Sequence, residues 1–510
     1  MDDEVIHLTR RQLREERELQ QRRESTRRPG SAGSRRTIGL ATLRGPLGVA
    51  LLWLGGHLAA ATLFLTRFGT NPDRWNTLIV GEPIAQFAAL TQLARLPFER
   101  VMTDVPAPAA RLLQALYAVT AGDRGWFLLA VLGLALLADL AVLAMLWRSR
   151  SAGPVAAAYW AIGVALLGPV AYARLDLLVV ACVVLAWNLA PRRPVWAAVA
   201  LALGTALAWW PALVLLPLVS LAPAGRRVRA LIGYAVPLLA IVGVSSWGGG
   251  WDRAVSSLAK LWARGLHIES LPAVPTLVDL ATSPGRHAAS VIAGEFEVRG
   301  AWVAASLTTS TVLVVVAGVI AVVLGGRALA LRHRVAALDG SDDLLPGTTP
   351  GSATETVTGG ADGGRAAYRA MRRRDEKPGL RADEGLVAAL AAAAGLLGVL
   401  ATGHLLKPEF LLWPLAFLAV VAARRPGRAV WAALGVVALT QVDYPYLFGF
   451  LSFPSAGAFD QTAAVIVARN LGLLAVLIWC WSAVWSEMRQ MGRVGRSAVR
   501  RPDPAVTRAK

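Results

Sequence analysis

Long apolar runs separated by short basic clusters form the dominant pattern along this chain. Two of these runs, 126–147 and 306–325, are nearly free of charge and reach the length, about 20 residues, that a helix needs to cross a bilayer. Backbone groups must be hydrogen bonded within lipid, so helices are the structure expected for such runs. The pattern therefore predicts an all-α polytopic membrane protein with about twelve transmembrane segments.

The run 194–222 is too long for one ordinary span, and Trp209, Trp210 and Pro211 interrupt it. Basic residues at both of its ends favour an even number of crossings, which two short helices meeting at Trp210 and Pro211 would give. One tilted helix with a proline kink is the alternative. The other spans are predicted at 43–66, 124–147, 153–172, 175–190, 228–246, 302–325, 385–402, 409–422, 428–443 and 463–484.

Changes in polarity divide the chain into five predicted regions. The segment 333–384, rich in Gly, Ser, Thr and Asp, has a composition typical of disorder. The polar N-terminus is not expected to be a cleavable signal peptide. The regions are a charged cytoplasmic arm (1–37), an N-terminal membrane block (38–332) with external loops at 67–123 and 247–300 bearing short amphipathic helices, a cytoplasmic linker (333–384), a C-terminal membrane block (385–485) and a basic cytoplasmic tail (486–510).

The formal net charge of +19 gathers in basic clusters at the ends of the apolar runs. This distribution follows the positive-inside rule, and it predicts a multi-pass protein of the plasma membrane with both termini in the cytoplasm. The same clusters are suited to anionic lipid head groups as partners. No basic face with interleaved aromatic residues accompanies them, so nucleic acid is not expected as a partner.

Composition narrows the class of protein further. Of the 510 residues 55% are hydrophobic and 17% are charged, and the mean hydropathy is +0.51, which excludes an ordinary soluble domain. Cys182 and Cys480 both fall in apolar runs, so burial as small hydrophobic residues is expected rather than a disulfide. No Cys and His cluster, zinc-protease motif or phosphate-binding glycine loop is found, and the sequence predicts neither a metal nor a cofactor.

The segment LWARGLHIESLPAVPTL, which begins at Leu261, is unusually rich in ionisable residues. The predicted topology places it on the external side, where the positive-inside rule does not account for an Arg. Because an ionisable group near hydrocarbon costs about 2.5–3.5 kcal/mol, several on one side indicate a shared task. We expect them to line one polar external cavity. The candidates are Glu82 and Asp104 as catalytic residues and Arg174, Asp176, Arg264, His267, Glu269, His404, Lys407 and Asp443 as contacts to a donor phosphate or substrate.

Each candidate also has a purely structural interpretation. Arg174 and Asp176 are spaced for an ion pair at a helix turn. Glu269 is placed to cap a short helix, and Asp104 precedes Val-Pro as turn-forming residues do. His267 fits an ordinary interfacial side chain, and Asp443 opens a stretch typical of an interfacial aromatic belt.

Four segments resemble the GT-C membrane glycosyltransferases, most closely glycosyltransferase family 87, whose members use polyprenyl-phosphate sugars. GPVAYARLDLLVVACVVLAW resembles a helix pair with Arg-x-Asp at its outer turn. ARGLHIESLPAVP resembles the family's external Arg-x-Leu-Gln-x-Glu-Ser loop. TGHLLKPEFLLWPLAFL resembles its Asn-Lys-x-x-Ser-Pro-Gln-Tyr segment. TQVDYPYLFGFL, followed by ARNLGLL, resembles its last external loop and final span.

The chain departs from the family pattern at several positions. Ala208 stands where the family has Lys before its broken helix, and His404 stands where it has the Lys of the third segment. In the first external loop only Asp104 matches, at a family Glu, and Glu82 is the nearest equivalent of the family's leading Asp. These departures affect residues that the family uses in catalysis more than residues that form its fold.

The resemblance implies a glycosyltransferase that moves a hexose, with mannose as the expected sugar, from a polyprenyl-phosphate donor to a membrane lipid or glycan acceptor outside the cell. Such chemistry needs a carboxylate to take the acceptor proton, for which Glu82 or Asp104 is suited. It also needs cations to stabilise the departing phosphate, for which Arg264, His404 and Lys407 are suited.

Two alternatives come from other functional classes. One is a non-catalytic relative that keeps the fold and a lipid-binding groove. The other is a transporter or lipid flippase, which calls for polar groups at the bilayer midplane and for an inverted repeat. The sequence shows few such groups and no repeat.

Overall fold

The computed structural model describes residues 45–68, 79–149, 152–282, 288–292, 295–341, 383–447 and 456–499. The predicted arm at 1–37 and most of the predicted linker at 333–384 lie outside these ranges. Two helices extend beyond the predicted membrane blocks, since one runs to Ser341 and another to Val499.

The described residues form sixteen α-helices and one small sheet. The helices are α1 (Pro46–Phe68), α2 (Gly81–Thr91), α3 (Ala107–Val119), α4 (Arg124–Arg148), α5 (Gly153–Leu167), α6 (Asp176–Leu189), α7 (Pro194–Leu207), α8 (Leu215–Ser220), α9 (Arg227–Ser245), α10 (Gly250–Trp262), α11 (Val274–Thr282), α12 (Val303–Ser341), α13 (Glu384–Thr402), α14 (Leu412–Arg424), α15 (Arg428–Gln441) and α16 (Ala456–Val499).

Seven helical segments of the described chain are long and apolar enough to cross a membrane. They lie in α1, α4, α5 with the turn after it, α9, α12, α13 and α16. Shorter apolar helices cover Asp176–Leu189, Pro194–Leu207 and Trp210–Ser220. The chain is thus a helical membrane protein by length and composition, and the total of about twelve crossings stays a prediction.

The centre of the bundle is the alanine-rich helix α13, whose apolar window is 83% buried inside the protein. It packs against α12, α14 and α16. Small residues let neighbouring helix backbones approach closely in a membrane, and a Cβ added at Gly395 would lie 2.8 Å from the Cβ of Ala321. By contrast, only 11% of the apolar window of α1 is buried, which places α1 at the lipid-facing edge.

The predicted break at the WWP motif is present. Helix α7 ends at Leu207, Ala208 is extended, and a 3₁₀ turn at Trp210–Val214 leads into α8. Pro211 has no amide proton to donate to the carbonyl of Leu207, four residues earlier, and its ring would clash with that carbonyl, which accounts for the end of α7 at Leu207. Trp210 stacks on Trp413 with ring centroids 5.2 Å apart. Two short segments therefore occupy this run, and not one kinked helix.

The sequence analysis did not predict the antiparallel hairpin of β1 (Ala288–Ile292) and β2 (Glu295–Arg299). In β2 the apolar residues Phe296 and Val298 are buried, whereas Arg299 is exposed. This alternation is the period of a strand with one buried face. The described chain is predominantly helical, as predicted, and this two-stranded hairpin is the exception within the described ranges.

Candidate functional site

The segment around Arg264 is held by backbone hydrogen bonds on two sides. The amide of His267 donates to the carbonyl of His404 at 3.0 Å. On the other side the amide of Ile268 donates to Phe296 at 3.0 Å, and that of Val298 donates to Leu266 at 2.9 Å. These bonds bring the predicted loop motif next to the start of the His404–Lys407 segment, although the two are far apart in sequence.

Four charged side chains from three separate segments meet in a group that we name the carboxylate–cation cluster: Glu82, Arg174, Lys407 and Glu409. Arg174 Nη1 contacts Glu82 and lies 2.6 Å from Glu409 Oε1. Lys407 Nζ lies 3.7 Å from Glu82 Oε2. Glu82 begins α2 and is about one third exposed, whereas Glu409 is fully buried in a 3₁₀ turn. The cluster is thus open on the Glu82 side and closed on the Glu409 side.

Burial is the largest influence on the pKa of Glu409. It raises this pKa to about 7, while Arg174 and Lys407 lower it and Asp176 and Glu82 raise it further. Asp176 also interacts electrostatically with Arg174 and Lys407. The two cations of the cluster are therefore shared among three carboxyl groups, those of Glu82, Asp176 and Glu409.

Asp176 does not form the predicted ion pair with Arg174. Its carboxylate accepts a hydrogen bond from Trp413 Nε1 at 2.8 Å, while Arg174 is engaged by the two glutamates. The interpretation as a local Arg174–Asp176 pair is corrected, because partners distant in sequence lie closer to Arg174. Asp176 instead ties the start of α6 to α14.

Glu269 and Asp443 belong to a second group, the sealed ion cluster, which they form with Arg469 and Asn470 of α16. Arg469 Nη1 lies 2.8 Å from Glu269 Oε2 and 3.5 Å from Asp443 Oδ2. Asn470 donates to the carbonyl of Glu269 at 3.2 Å, and no member is more than 1% exposed. Burial raises the pKa of Glu269, as does the negative charge of Asp443, while Arg469 lowers it. Burial likewise raises the pKa of Asp443, again against Arg469.

The sealed ion cluster changes two predictions. Glu269 does not cap the short helix after it, since its side chain and carbonyl are both engaged by Arg469, and Asp443 is buried rather than interfacial. Neither side chain is open to a substrate as placed. Tyr444 interacts electrostatically with Arg174 and Glu409 of the first cluster and with Glu269 of the second.

Asp104 and Arg264 form a separate pair, with Arg264 Nη2 3.7 Å from Asp104 Oδ2. Asp104 is half exposed and lies in the turn before α3, as the structural interpretation predicted. The two histidines are buried, which corrects the interpretation of His267 as an interfacial side chain. His404 meets the ring of Trp262 edge-on, and burial lowers the pKa of His404.

An apolar cavity of about 410 Å³ is lined in part by residues that neighbour Glu82 and Arg174 in the sequence. Its wall comes from α1, α4, α5 and the turn after α5, and it includes Ile79, Val80 and Tyr172. Val80 lies two residues before Glu82, and Tyr172 lies two residues before Arg174. Ile79 packs with Val170 and Ala173, and Tyr444 covers this contact. None of the ten predicted site residues lines this cavity, and the expected single polar cavity stays a prediction.

A buried polar network at the cavity wall was missed by the sequence analysis. Asp139, fully buried in α4, accepts hydrogen bonds from the indole nitrogens of Trp53 and Trp160, both at 2.7 Å, and from Tyr172 at 2.8 Å. His57 contacts Tyr172 through Nε2, and its Nδ1 lies 2.6 Å from the carbonyl of Trp53. His57 Nε2 also lies 3.6 Å from Asp139 Oδ2.

Two residues that the sequence analysis missed, Asp139 and Arg469, have a feature that is visible in the sequence. Asp139 and Arg469 are charges within otherwise apolar runs, and each such charge is expected to have a partner inside the protein. The sequence alone does not name those partners, because Trp53, Glu269 and Asp443 come from distant segments.

Comparisons with known proteins do not assign a function to these clusters. No protein-family model, curated protein or solved structure matched the chain. The resemblance to glycosyltransferase family 87 gains no support from them and stays a proposal. Within the described ranges, no three His, Cys, Asp or Glu side chains are grouped so that they could hold a metal ion.

Proposed function

We propose that this chain is a membrane glycosyltransferase that moves a hexose from a polyprenyl-phosphate donor to an envelope glycolipid or polysaccharide on the external face. The observation that carries the proposal is the position of Arg174 and Lys407, which contact Glu82 in a cluster whose members Glu82 and Arg174 each lie two residues along the chain from the wall of an apolar cavity. A lipid phosphate has the same two parts, an anionic head and a hydrocarbon chain. The long apolar helices of the chain are suited to a bilayer, where a lipid-linked donor is also found.

The two cations of the carboxylate–cation cluster are suited to an anionic head group. Arg174 and Lys407 both reach Glu82, whose carboxylate is about one third exposed. A phosphate that replaces Glu82 at the two cations would gain charge-assisted hydrogen bonds. The same contacts would stabilise the phosphate as it departs with the bonding electrons.

The neighbouring cavity is suited to the first units of the hydrocarbon chain. Its wall is almost wholly apolar, with His57 and Tyr172 as polar exceptions, and it lies against the lipid-facing helix α1. Because the hydrocarbon chain of the donor is already in lipid, the cavity would bind it by van der Waals packing rather than by removing it from water. In this proposal the cluster binds the phosphate head of the lipid and the cavity binds the start of its hydrocarbon chain.

The acceptor base and the leaving phosphate must lie on opposite sides of the anomeric carbon in an in-line displacement. Glu82 touches the cations assigned to the phosphate, so it is on the leaving-group side and acts as a positioning residue. Asp104 is half exposed, and the segment that carries its partner Arg264 is bonded through His267 to the segment that carries Lys407. We assign Asp104 as the base that takes the acceptor proton while the new C–O bond forms and the bond to phosphate breaks, with inversion.

A second candidate function has its own supporting observation. The resemblance places Glu269 and Asp443 at the substrate, yet Arg469 closes both from solvent. Together with Ala208, this favours a catalytically inactive protein that binds a lipid phosphate without transferring sugar.

Purified protein in liposomes with radiolabelled polyprenyl-phosphate-mannose and glycolipid acceptors distinguishes the two functions. Transfer is expected from the unaltered protein, loss of turnover with retained donor binding from Asp104→Asn, and loss of donor binding from Lys407→Gln. Asp252→Asn, an exposed carboxylate on α10, is the matched control and should behave like the unaltered protein. Donor binding without transfer to any acceptor would establish the inactive lipid-binding protein, and absence of donor binding would overturn both functions.

A further inference from the structure

Helix α10 turns an apolar, tryptophan-rich face away from the protein. Trp251, Val255, Leu258 and Trp262 are spaced three or four residues apart and so form one stripe along the helix. Trp247 continues the stripe before the helix begins. Trp247 and Trp251 are 83% and 76% exposed, which is far from the burial usual for indole side chains.

The opposite face of α10 is polar and is the buried one. Arg253 is 1% exposed, and its guanidinium donates to the carbonyls of Val105 at 3.1 Å and Met102 at 3.2 Å. Ser257 accepts a hydrogen bond from Trp209 Nε1 at 3.1 Å. A surface helix of a soluble protein has the reverse orientation, with its apolar face toward the core. The exposed side of α10 is therefore suited to a solvent other than water.

The position of α10 along the chain indicates what that solvent is. The helix begins directly after the candidate span Ala224–Ser245. Gly248 and Gly250 have positive φ angles of 92° and 62°, a conformation that glycine adopts without a steric penalty, and they form the turn between the two helices. Arg111 donates to the carbonyls of Ser245 and Trp247, both at 3.3 Å, and so holds this turn. The stripe thus starts where a span leaves the hydrocarbon.

We propose that α10 lies in the interfacial layer of the bilayer, with the Trp247–Trp262 stripe immersed at the boundary between head groups and acyl chains. Tryptophan is enriched at this depth because its indole is apolar with one polar N–H, and amphipathic helices bury their apolar face about 5–10 Å into it. Arg253 then holds the loop that contains Asp104 at head-group depth, and Arg264 follows two residues after the stripe ends. The inference does not depend on sugar transfer.

Labelling of the unaltered protein in liposomes with an apolar photoactivatable carbene reagent tests this placement. Modification should fall on Trp251, Val255, Leu258 and Trp262 and spare Asp252, Ser256 and Lys260. The lipid-facing residues Val312 and Val319 of α12 are the positive control. Labelling of α12 without labelling of the stripe would overturn the proposal.

Spin labels provide a second, independent measurement. In a background with Cys182 and Cys480 replaced by alanine, a label at Leu258→Cys should be relaxed by oxygen and protected from a water-soluble nickel complex. A label at Asp252→Cys should show the opposite behaviour. Equal access of the nickel complex to both sites would show that the stripe faces water, and protection of Leu258→Cys from both reagents would show that a protein covers it. Either result would overturn the proposal.

Discussion

Replacing Arg469 with methionine tests the sealed ion cluster, because methionine keeps an unbranched side chain and removes the guanidinium. Arg469 lies 2.8 Å from Glu269 and 3.5 Å from Asp443, and none of the three side chains is more than 1% exposed. Removing one partner of a buried ion pair costs about 3–5 kcal/mol. Two carboxylates lose their partner here, so we expect a loss in the upper part of that range, on the order of 4–5 kcal/mol.

The loss should depend on pH with a defined sign. Burial already raises the pKa of Glu269 and of Asp443, and Arg469 opposes both shifts. Without Arg469 the folded state binds protons at these groups more tightly than the unfolded state does, so its stability falls as pH rises. The deficit of Arg469→Met relative to the unaltered protein should therefore be larger near about pH 8 than near about pH 5.

Unfolding by SDS titration in mixed micelles, followed by tryptophan fluorescence, measures both effects. Arg192→Met, at an exposed arginine in the turn before α7, is the matched control, and its effect should stay within about 0.5 kcal/mol. If Arg469→Met were no less stable than Arg192→Met, or if its deficit grew on acidification, the assignment of Arg469 as the partner of both carboxylates would be refuted.

Three further changes test other parts of the structure. Glu409→Gln should flatten the fall in stability between about pH 4.5 and 7, on the order of 3 kcal/mol, since a buried acid with a raised pKa destabilises the fold as it ionises; an unchanged pH profile of SDS unfolding contradicts this. Gly395→Ala should cost about 1–3 kcal/mol in thermal unfolding because its Cβ meets Ala321, whereas Gly318→Ala, with open space around it, should not destabilise. Tyr172→Phe should cost about 1.5–3 kcal/mol because Asp139 loses a hydrogen bond; a stability equal to that of the unaltered protein contradicts the network.

The sequence predicts the helical membrane class and several segment boundaries because apolar run length is a local property. Span positions such as 124–147 and the break at Pro211 follow from residues that are close together in the chain. The hairpin of β1 (Ala288–Ile292) and β2 (Glu295–Arg299) was missed, since strands of five residues leave a weak signal inside a long loop.

The candidate site was predictable only in part. Arg174, Glu82 and Lys407 were predicted as site residues because they are charged residues in an apolar chain. In the structure Glu82 contacts both Arg174 and Lys407. The predicted local pair of Arg174 with Asp176 was wrong, because tertiary packing brought Glu409 within 2.6 Å of Arg174. Helix packing determines which distant charged residues form ion pairs. The spacing of residues along the chain does not predict these pairs.

Photo-crosslinking of a polyprenyl monophosphate with a diazirine in its first isoprene units tests the central claim most directly, namely that the cation pair and the apolar cavity form one lipid-phosphate site. The protein in liposomes should be labelled on the cavity-lining parts of α1 and α5. Labelling should be lost in Arg174→Gln with Lys407→Gln, which removes the cations, and in Ala60→Phe, which fills the cavity. Ala59→Phe, exposed on the same helix, should label like the unaltered protein. Equal labelling of all these variants, or labelling spread evenly over the lipid-facing helices, would contradict the account.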